Sequence, residues 1–275
     1  MKPIQSIQAQ NQNLVSAFLK RKSLITISEL FIFILIAIAL CLTSCSPVLY
    51  TTVGQNVPLF HKKGEVAASV AHAGTNYADG TSFQVAAAID SNTLLMSSFY
   101  SLNNVAGSGS GRYFELGAGK FKYNPVTKLC GELILGVGFG SINNSFRTDP
   151  YYNTYTNVNA NYFKPFIQPS FGFSTKIIDI ALTPRVGLVT YTSKSDNVTD
   201  PQLRSALDDY YSAKKSTLVF EPGITVRAGF KNVKLQVQYN HTSFNYTSAN
   251  LDPVDKDFVS VGLHILISDR WAKSK

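Results

Sequence analysis

The sequence predicts an all-β fold, an antiparallel up-and-down transmembrane β-barrel of roughly ten strands behind a cleaved lipoprotein signal peptide. Three observations carry that prediction. Lys20, Arg21 and Lys22 precede an apolar run from Leu30 to Leu42, which ends in Thr43-Ser44-Cys45-Ser46-Pro47. Downstream, apolar and polar residues alternate with the period of a strand in segment after segment. The connections between those segments alternate between tight and long, as they do in outer-membrane barrels.

The leader comes first in the argument because it sets the compartment. A basic segment, a greasy core and a small-residue ending are the three parts of a secretory signal. Glu29 leaves an uninterrupted apolar core of about 13 residues, whereas a helix spanning a bilayer needs about 20. The ending Leu42-Thr43-Ser44-Cys45 resembles a bacterial lipobox, in which the leader is removed and the new N-terminal cysteine receives acyl chains such as palmitate. Residues 1–44 are therefore expected to leave as signal peptide. Residues 45–63, with Pro47, Gly54 and Pro58, read as a lipidated tether, and 64–275 as the barrel domain.

Composition narrows the class further. Charged residues make up 15% of the chain, against about 25% in ordinary soluble domains. No later stretch is apolar for the length of a helical span, so membrane residence requires strands. The formal charge of +8 is scattered and partly lost with the leader, which excludes nucleic acid as a natural partner. The cysteines Cys41, Cys45 and Cys130 leave no disulfide in the mature domain once Cys41 departs and Cys45 is acylated.

The strands are read in order near 65–73, 83–90, 93–101, 112–122, 130–141, 162–174, 177–191, 215–229, 233–240 and 259–267. The clearest is Val233-Lys234-Leu235-Gln236-Val237-Gln238-Tyr239-Asn240, in which every second residue is apolar. Short connections fall at 90–92, 124–127, 176–177 and 230–232. Long ones fall at 103–111, 141–160, 193–214 and 243–257, with one or two helical turns expected near Pro201–Ser212. An even strand number with short periplasmic turns puts both chain ends on the periplasmic side. Pro165, Pro169, Pro184 and Pro222 fall inside expected strands and call for bulges or strand ends, because proline removes a ladder hydrogen bond.

If the apolar face meets lipid, the opposite face lines the lumen. The expected lumen network is Glu65, Glu115, Glu132, Lys164, Arg185, Glu221, Arg227 and Lys234, with Gln84, Gln168, Gln236 and Gln238 beside it. Buried charges need partners, so these are read as a mutually neutralising plug or a narrow polar lumen. Tyr100, Tyr113, Phe121, Tyr123, Phe139, Phe163, Tyr191, Phe230 and Phe258 are expected to form interfacial girdles.

No catalytic residue is assigned. His72, and His241 with Ser243, are the candidates for a rim hydrolase, but nothing in their spacing singles out a triad. No metal-ligand cluster and no cofactor motif is present in the sequence pattern: the four histidines are dispersed, and Gly-X-Gly at 117–119 and 136–140 sits inside strands.

The stretch Asn56-Val57-Pro58-Leu59-Phe60-His61-Lys62-Lys63-Gly64-Glu65 resembles the opening of a family of predicted bacterial outer-membrane β-barrel lipoproteins. Phe166-Ile167-Gln168-Pro169-Ser170-Phe171-Gly172 and Phe220-Glu221-Pro222 are similar to its later strands. The resemblance implies the location and fold and supplies no activity. The expectation is a non-enzymatic, porin-like lipoprotein of a Gram-negative outer membrane, with a structural, surface-interaction or limited passive-permeation role. Its partners would be outer-membrane lipid and, through the long loops, a surface partner or small solute. Two alternatives stand beside it: a lipid- or peptide-hydrolysing barrel enzyme, and a soluble periplasmic ligand-binding lipoprotein with its apolar face turned inward.

Overall fold

The computed structural model describes residues 48–105, 108–149, 154–213, 216–244 and 254–267. The signal-peptide segment and the acylation candidate Cys45 lie outside the described residues. Among those described, β1 (Tyr50–Thr51) is followed by β2 (Val66–Thr75), β3 (Asp79–Ala88), β4 (Thr93–Val105), β5 (Gly109–Tyr123) and β6 (Leu129–Asp149). Next come β7 (Thr154–Ser174), β8 (Ile178–Asp196), the helix α1 (Pro201–Ala213), β9 (Ser216–Gly229) and β10 (Val233–His241). The short β11 (Ser243–Phe244), β12 (Val254–Asp255) and the last strand β13 (Asp257–Ile267) complete the order.

From β2 to β10 each long strand pairs antiparallel with the next, β10 pairs with β13, and β13 returns to β2. The ring of ten long strands is therefore closed, which leaves no sheet edge exposed. Alternation decides which way each side chain points. Along β10, Lys234, Gln236, Gln238 and Asn240 are buried, while Val233, Leu235, Val237 and Tyr239 face outward. The outer surface carries Val85, Leu116, Leu135, Ile167, Leu182, Val226, Val261 and Leu263 among many exposed apolar residues. A continuous apolar belt of this kind is far larger than the scattered patches of a water-soluble monomer. No described helix is long and apolar enough to cross a membrane.

The two ends of the barrel differ. At one, here the turn end, strands are joined by 89–92, 124–128, 175–177 and 230–232. The other, the loop end, carries the connections 197–215 and 242–256. Two expected loops turn out to be strand: β6 and β7 are each 21 residues long and pair as far as Asp149 with Thr154, and β5 begins at Gly109. Asn143, Asn157, Asn159 and Asn161 occupy the outer face there and obscure an inner apolar series, Ile142, Val158, Ala160 and Tyr162, that keeps the period of two. The helix is also longer than expected. Asp200 caps it, its carboxylate accepting from the Gln202 and Leu203 amides at 2.8 and 2.9 Å, and Pro201 takes the first position, where a missing amide costs nothing.

The prolines are accommodated without bulges at their own positions. The β6–β7 register runs unbroken through Pro165 and Pro169, opposite Val137 and Leu133. The β7–β8 pairing instead skips residues 164–165 and 168–170, so the missing amide bonds fall on one side of one strand. Pro184 and Pro222 lie opposite each other across β8 and β9.

The largest departure from expectation is the segment read as a tether. Val48 to Phe60 are all buried, inside the ring. The segment starts beside Asn144 near the loop end and finishes beside Glu132 and Cys130 at the turn end. It therefore fills the lumen along its length. Both described chain ends consequently do not share a face: Val48 is at the loop end, whereas Ile267 pairs with Val66 at the turn end.

Candidate functional site: the occupied lumen

Apart from the two-residue pairing of β1 with β12, the segment inside the barrel has no strand beside it, yet its amides and carbonyls must still be paired. Inward side chains supply the partners. Asn144 accepts from the Val48 amide at 2.8 Å and donates to the Val48 carbonyl at 2.6 Å. Gln238 does the same for Gln55, with both bonds at 2.8 Å. Each side-chain amide thus takes the place of a neighbouring peptide group.

The series continues down the lumen. Thr52 donates its amide to the Asp255 carbonyl at 3.0 Å, extending the parallel pairing of β1 with β12. Asn240 donates to Val53 O at 3.3 Å, and the Tyr100 hydroxyl donates to Gly54 O. Gln168 donates to Asn56 O at 2.7 Å, and Arg227 to Val57 O at 2.6 Å. The Phe60 amide donates to Glu132 at 3.2 Å. Hydrogen bonds to ionised groups are the stronger kind, about 1.5–3 kcal/mol each.

All eight residues of the sequence-derived lumen set point inward and are buried: Glu65, Glu115, Glu132, Lys164, Arg185, Glu221, Arg227 and Lys234. The structure gathers three separate groups from them. In the middle, Arg185 grips Glu115 through both nitrogens at 3.1 and 3.3 Å, with Nε donating to Gln168 at 2.9 Å. Its guanidinium lies 4.4 Å from the Phe166 ring centre. Glu221 bridges Lys164, 3.0 Å away, to the Tyr50 hydroxyl of the inner segment. Lower down, Arg227 holds Gln236 at 2.7 Å as well as Val57. At the turn end Lys234 pairs with Asp179 at 2.6 Å, and Glu65 accepts from the His61 amide at 2.7 Å.

The aromatic girdle is corrected in part. Tyr100, Tyr113, Phe121, Tyr191 and Phe258 face the lumen, whereas Phe139 and Phe230 are exposed. Their parity along the strands puts them on the inner face, where the tyrosines pack with Tyr50 and Tyr162 around the buried segment. The glycines of β6 make room for them. A Cβ at Gly138 would lie 2.0 Å from the Tyr113 hydroxyl, and one at Gly140 would lie 2.1 Å from the Tyr162 ring.

The hydrolase candidates stay apart. His72 faces outward on β2, while His241 at the loop rim contacts Asp257 at 2.9 Å, which also accepts from the Tyr239 hydroxyl. Sequence reasoning did not pick out a third histidine. At the turn-end mouth a cavity of about 470 Å³ is lined by His61, Ser174, Asp179 and several lysines. His61 Nε2 is 2.9 Å from the Ser174 hydroxyl, which donates to Asp179 at 2.7 Å. Burial holds the His61 imidazole below its usual range. Because Ser174 has given its single proton to a carboxylate, His61 acts as donor in that contact and is not set up as base to the hydroxyl. Cys130 is a buried free thiol whose sulfur faces the Phe60 carbonyl at 3.4 Å. No group of three or more metal-ligating side chains occurs among the described residues.

Comparison with known proteins adds little to this geometry. No family model matches the chain, so the resemblance read from Asn56–Glu65 has no counterpart there, and no curated protein matches it either. Among solved structures it is similar to the β domain of the Bordetella autotransporter BrkA, at 10% identity over 74% of this chain and 98% of that one, with a TM-score of 0.28.

Proposed function

We propose that the protein is an outer-membrane β-barrel lipoprotein, anchored by an acylated Cys45, whose lumen is closed by its own N-terminal segment. Its role is structural or one of surface interaction and involves no catalysis. The observation that supports this most directly is the pairing of an apolar outer belt with a lumen filled from Val48 to Phe60. The belt belongs in hydrocarbon, because leaving it in water costs about 25 cal/mol for each Å² exposed. The soluble alternative needs the apolar face inside, and Val237, Leu263 and Ile265 are on the outside.

A filled lumen also weighs against a permeation role. The contact surface is then the loop end, with the tall β6–β7 hairpin and α1. Purified protein in planar bilayers should give no steady conductance, and a variant lacking residues 48–60 should give open events if it inserts. The Cys45→Ala variant should still fractionate with outer membranes. Steady wild-type conductance, or a soluble Cys45→Ala protein, would overturn the reading.

A further inference from the structure

The path of the inner segment decides on which side of the membrane the N-terminal anchor sits. Its contacts are ordered along the barrel axis. Val48 meets Asn144, Thr52 meets Thr242, Gln55 meets Gln238, Val57 meets Arg227, and Phe60 meets Glu132. Val48 to Phe60 is 13 residues. At about 3.3 Å per residue an extended run of that length reaches about 40 Å, more than the apolar band of about 25 Å on such barrels. The segment therefore passes through the barrel from end to end, and a tight turn at Gly64, with φ of 82°, returns the chain into β2. Cys45 is three residues before Val48, and three residues of backbone reach about 11 Å at most.

We propose that Cys45 and its acyl chains belong to the loop-end face, so that the barrel is lipidated in the outer leaflet and its mature N-terminus is displayed at the cell surface. This replaces the expectation that both chain ends are periplasmic. It rests on the outer-membrane reading and on loops facing outward, and it adds the side of the anchor. The outward apolar belt of β6 and β7 ends at Phe139 and Phe163, which pack together. Beyond it Asn143, Asn157, Asn159 and Asn161 occupy the outer face, so the acyl chains would reach down from the loop-end rim to that edge. A triacylated cysteine cannot be drawn through a lumen packed with Tyr50, Tyr100 and Tyr113. The strands must therefore close around the segment after it has been placed.

The test uses the full chain in intact Gram-negative cells and a membrane-impermeant maleimide. The single substitutions are Ser46→Cys, Asp208→Cys in the exposed part of α1, and Val126→Cys in the exposed turn between β5 and β6. The inference expects labelling of Ser46→Cys and Asp208→Cys on intact cells, and of Val126→Cys only after permeabilisation. If Asp208→Cys labels and Ser46→Cys does not, the inference is overturned while the orientation stands. If only Val126→Cys labels, the orientation itself fails and takes the inference with it. A Thr52→Cys/Thr242→Cys pair, built where the two hydroxyl oxygens lie 2.5 Å apart, should close a disulfide in the membrane fraction. Its failure to form in folded, heat-modifiable protein would remove the threading on which the proposal is built.

Discussion

Replacing Arg185 with Met should be the most damaging single change in the lumen. Arg185 and Glu115 are both fully buried, and in the described residues Glu115 is salt-bridged by Arg185 alone. Methionine keeps the contact with Phe166 but leaves the Glu115 carboxylate in a dry interior, and deprives Gln168 of the guanidinium it accepts from. Removing one partner of a buried pair costs about 3–5 kcal/mol, because the remaining charge is uncompensated. Glu221 is spared the same fate, since Lys164 stays 3.0 Å away. The Glu115→Gln/Arg185→Met double variant removes the charge as well as its partner and should recover most of the loss. A double-mutant cycle should then give a coupling of about 2 kcal/mol or more. Urea unfolding of protein refolded into phosphatidylcholine vesicles, followed by far-UV circular dichroism and by the gel mobility of folded and unfolded forms, measures each corner. A loss under about 1 kcal/mol for Arg185→Met, or a double variant worse than the sum of its singles, would refute the argument.

Three further outcomes follow from the same geometry. Gly138→Ala should lower barrel stability by about 1–3 kcal/mol in heat-modifiability assays, because the new methyl must displace the Tyr113 hydroxyl. Val237→Lys, on the outward face between Val226 and Val261, should cost about 2–4 kcal/mol in bilayers if that face meets hydrocarbon at mid-depth, measured by the urea midpoint. Asp255, at the loop end, is pushed up to about 6, chiefly by burial. Its folded-state value lies above the unfolded one, so ionisation penalises the folded arrangement: pairing of β1 with β12 should be firmest below about pH 4. It should weaken by at most about 3 kcal/mol as pH rises through 6. Exchange of the Thr52 amide, corrected for its intrinsic pH dependence, should accelerate over that window, and Asp255→Asn should abolish the trend.

The period of two made β10 and β13 legible almost to the residue, since one face is uniformly apolar and the other polar. It also identified the parity of Glu115, Arg185 and Glu221. It failed where the two faces exchange their chemistry or share it. In the upper halves of β6 and β7 the inner face is largely apolar, with Ile142, Val158, Ala160 and Tyr162, and the outer face carries Asn143, Asn157, Asn159 and Asn161. That is the reverse of the lower barrel, so Asn143 and Asn157 read as loop although the strands pair to Asp149 and Thr154. On β4 the inward Leu94, Met96, Tyr100 and Leu102 are as apolar as their outward neighbours, so the sequence alone does not separate an inward Tyr100 from a girdle residue. The inner segment was hidden for a related reason. A strand buried on all sides has no alternation, and Pro47, Gly54 and Pro58 look like the punctuation of a linker. The available signal was apolar density: Val48, Leu49, Tyr50, Val53, Val57, Leu59 and Phe60 are too many for a solvated spacer. The role of its partners Asn144, Gln238 and Asn240 carries no pattern of its own, because an amide becomes a strand substitute only through its neighbours in space.

The stopper and its socket are one molecule, joined through only His61 to Glu65. For such a short link the local concentration of the stopper at its seat is in the millimolar range or above, whatever the abundance of the protein. A free peptide of the same sequence would therefore have to be supplied in large excess to take its place. Dilution, which empties most bound sites, would leave this one occupied.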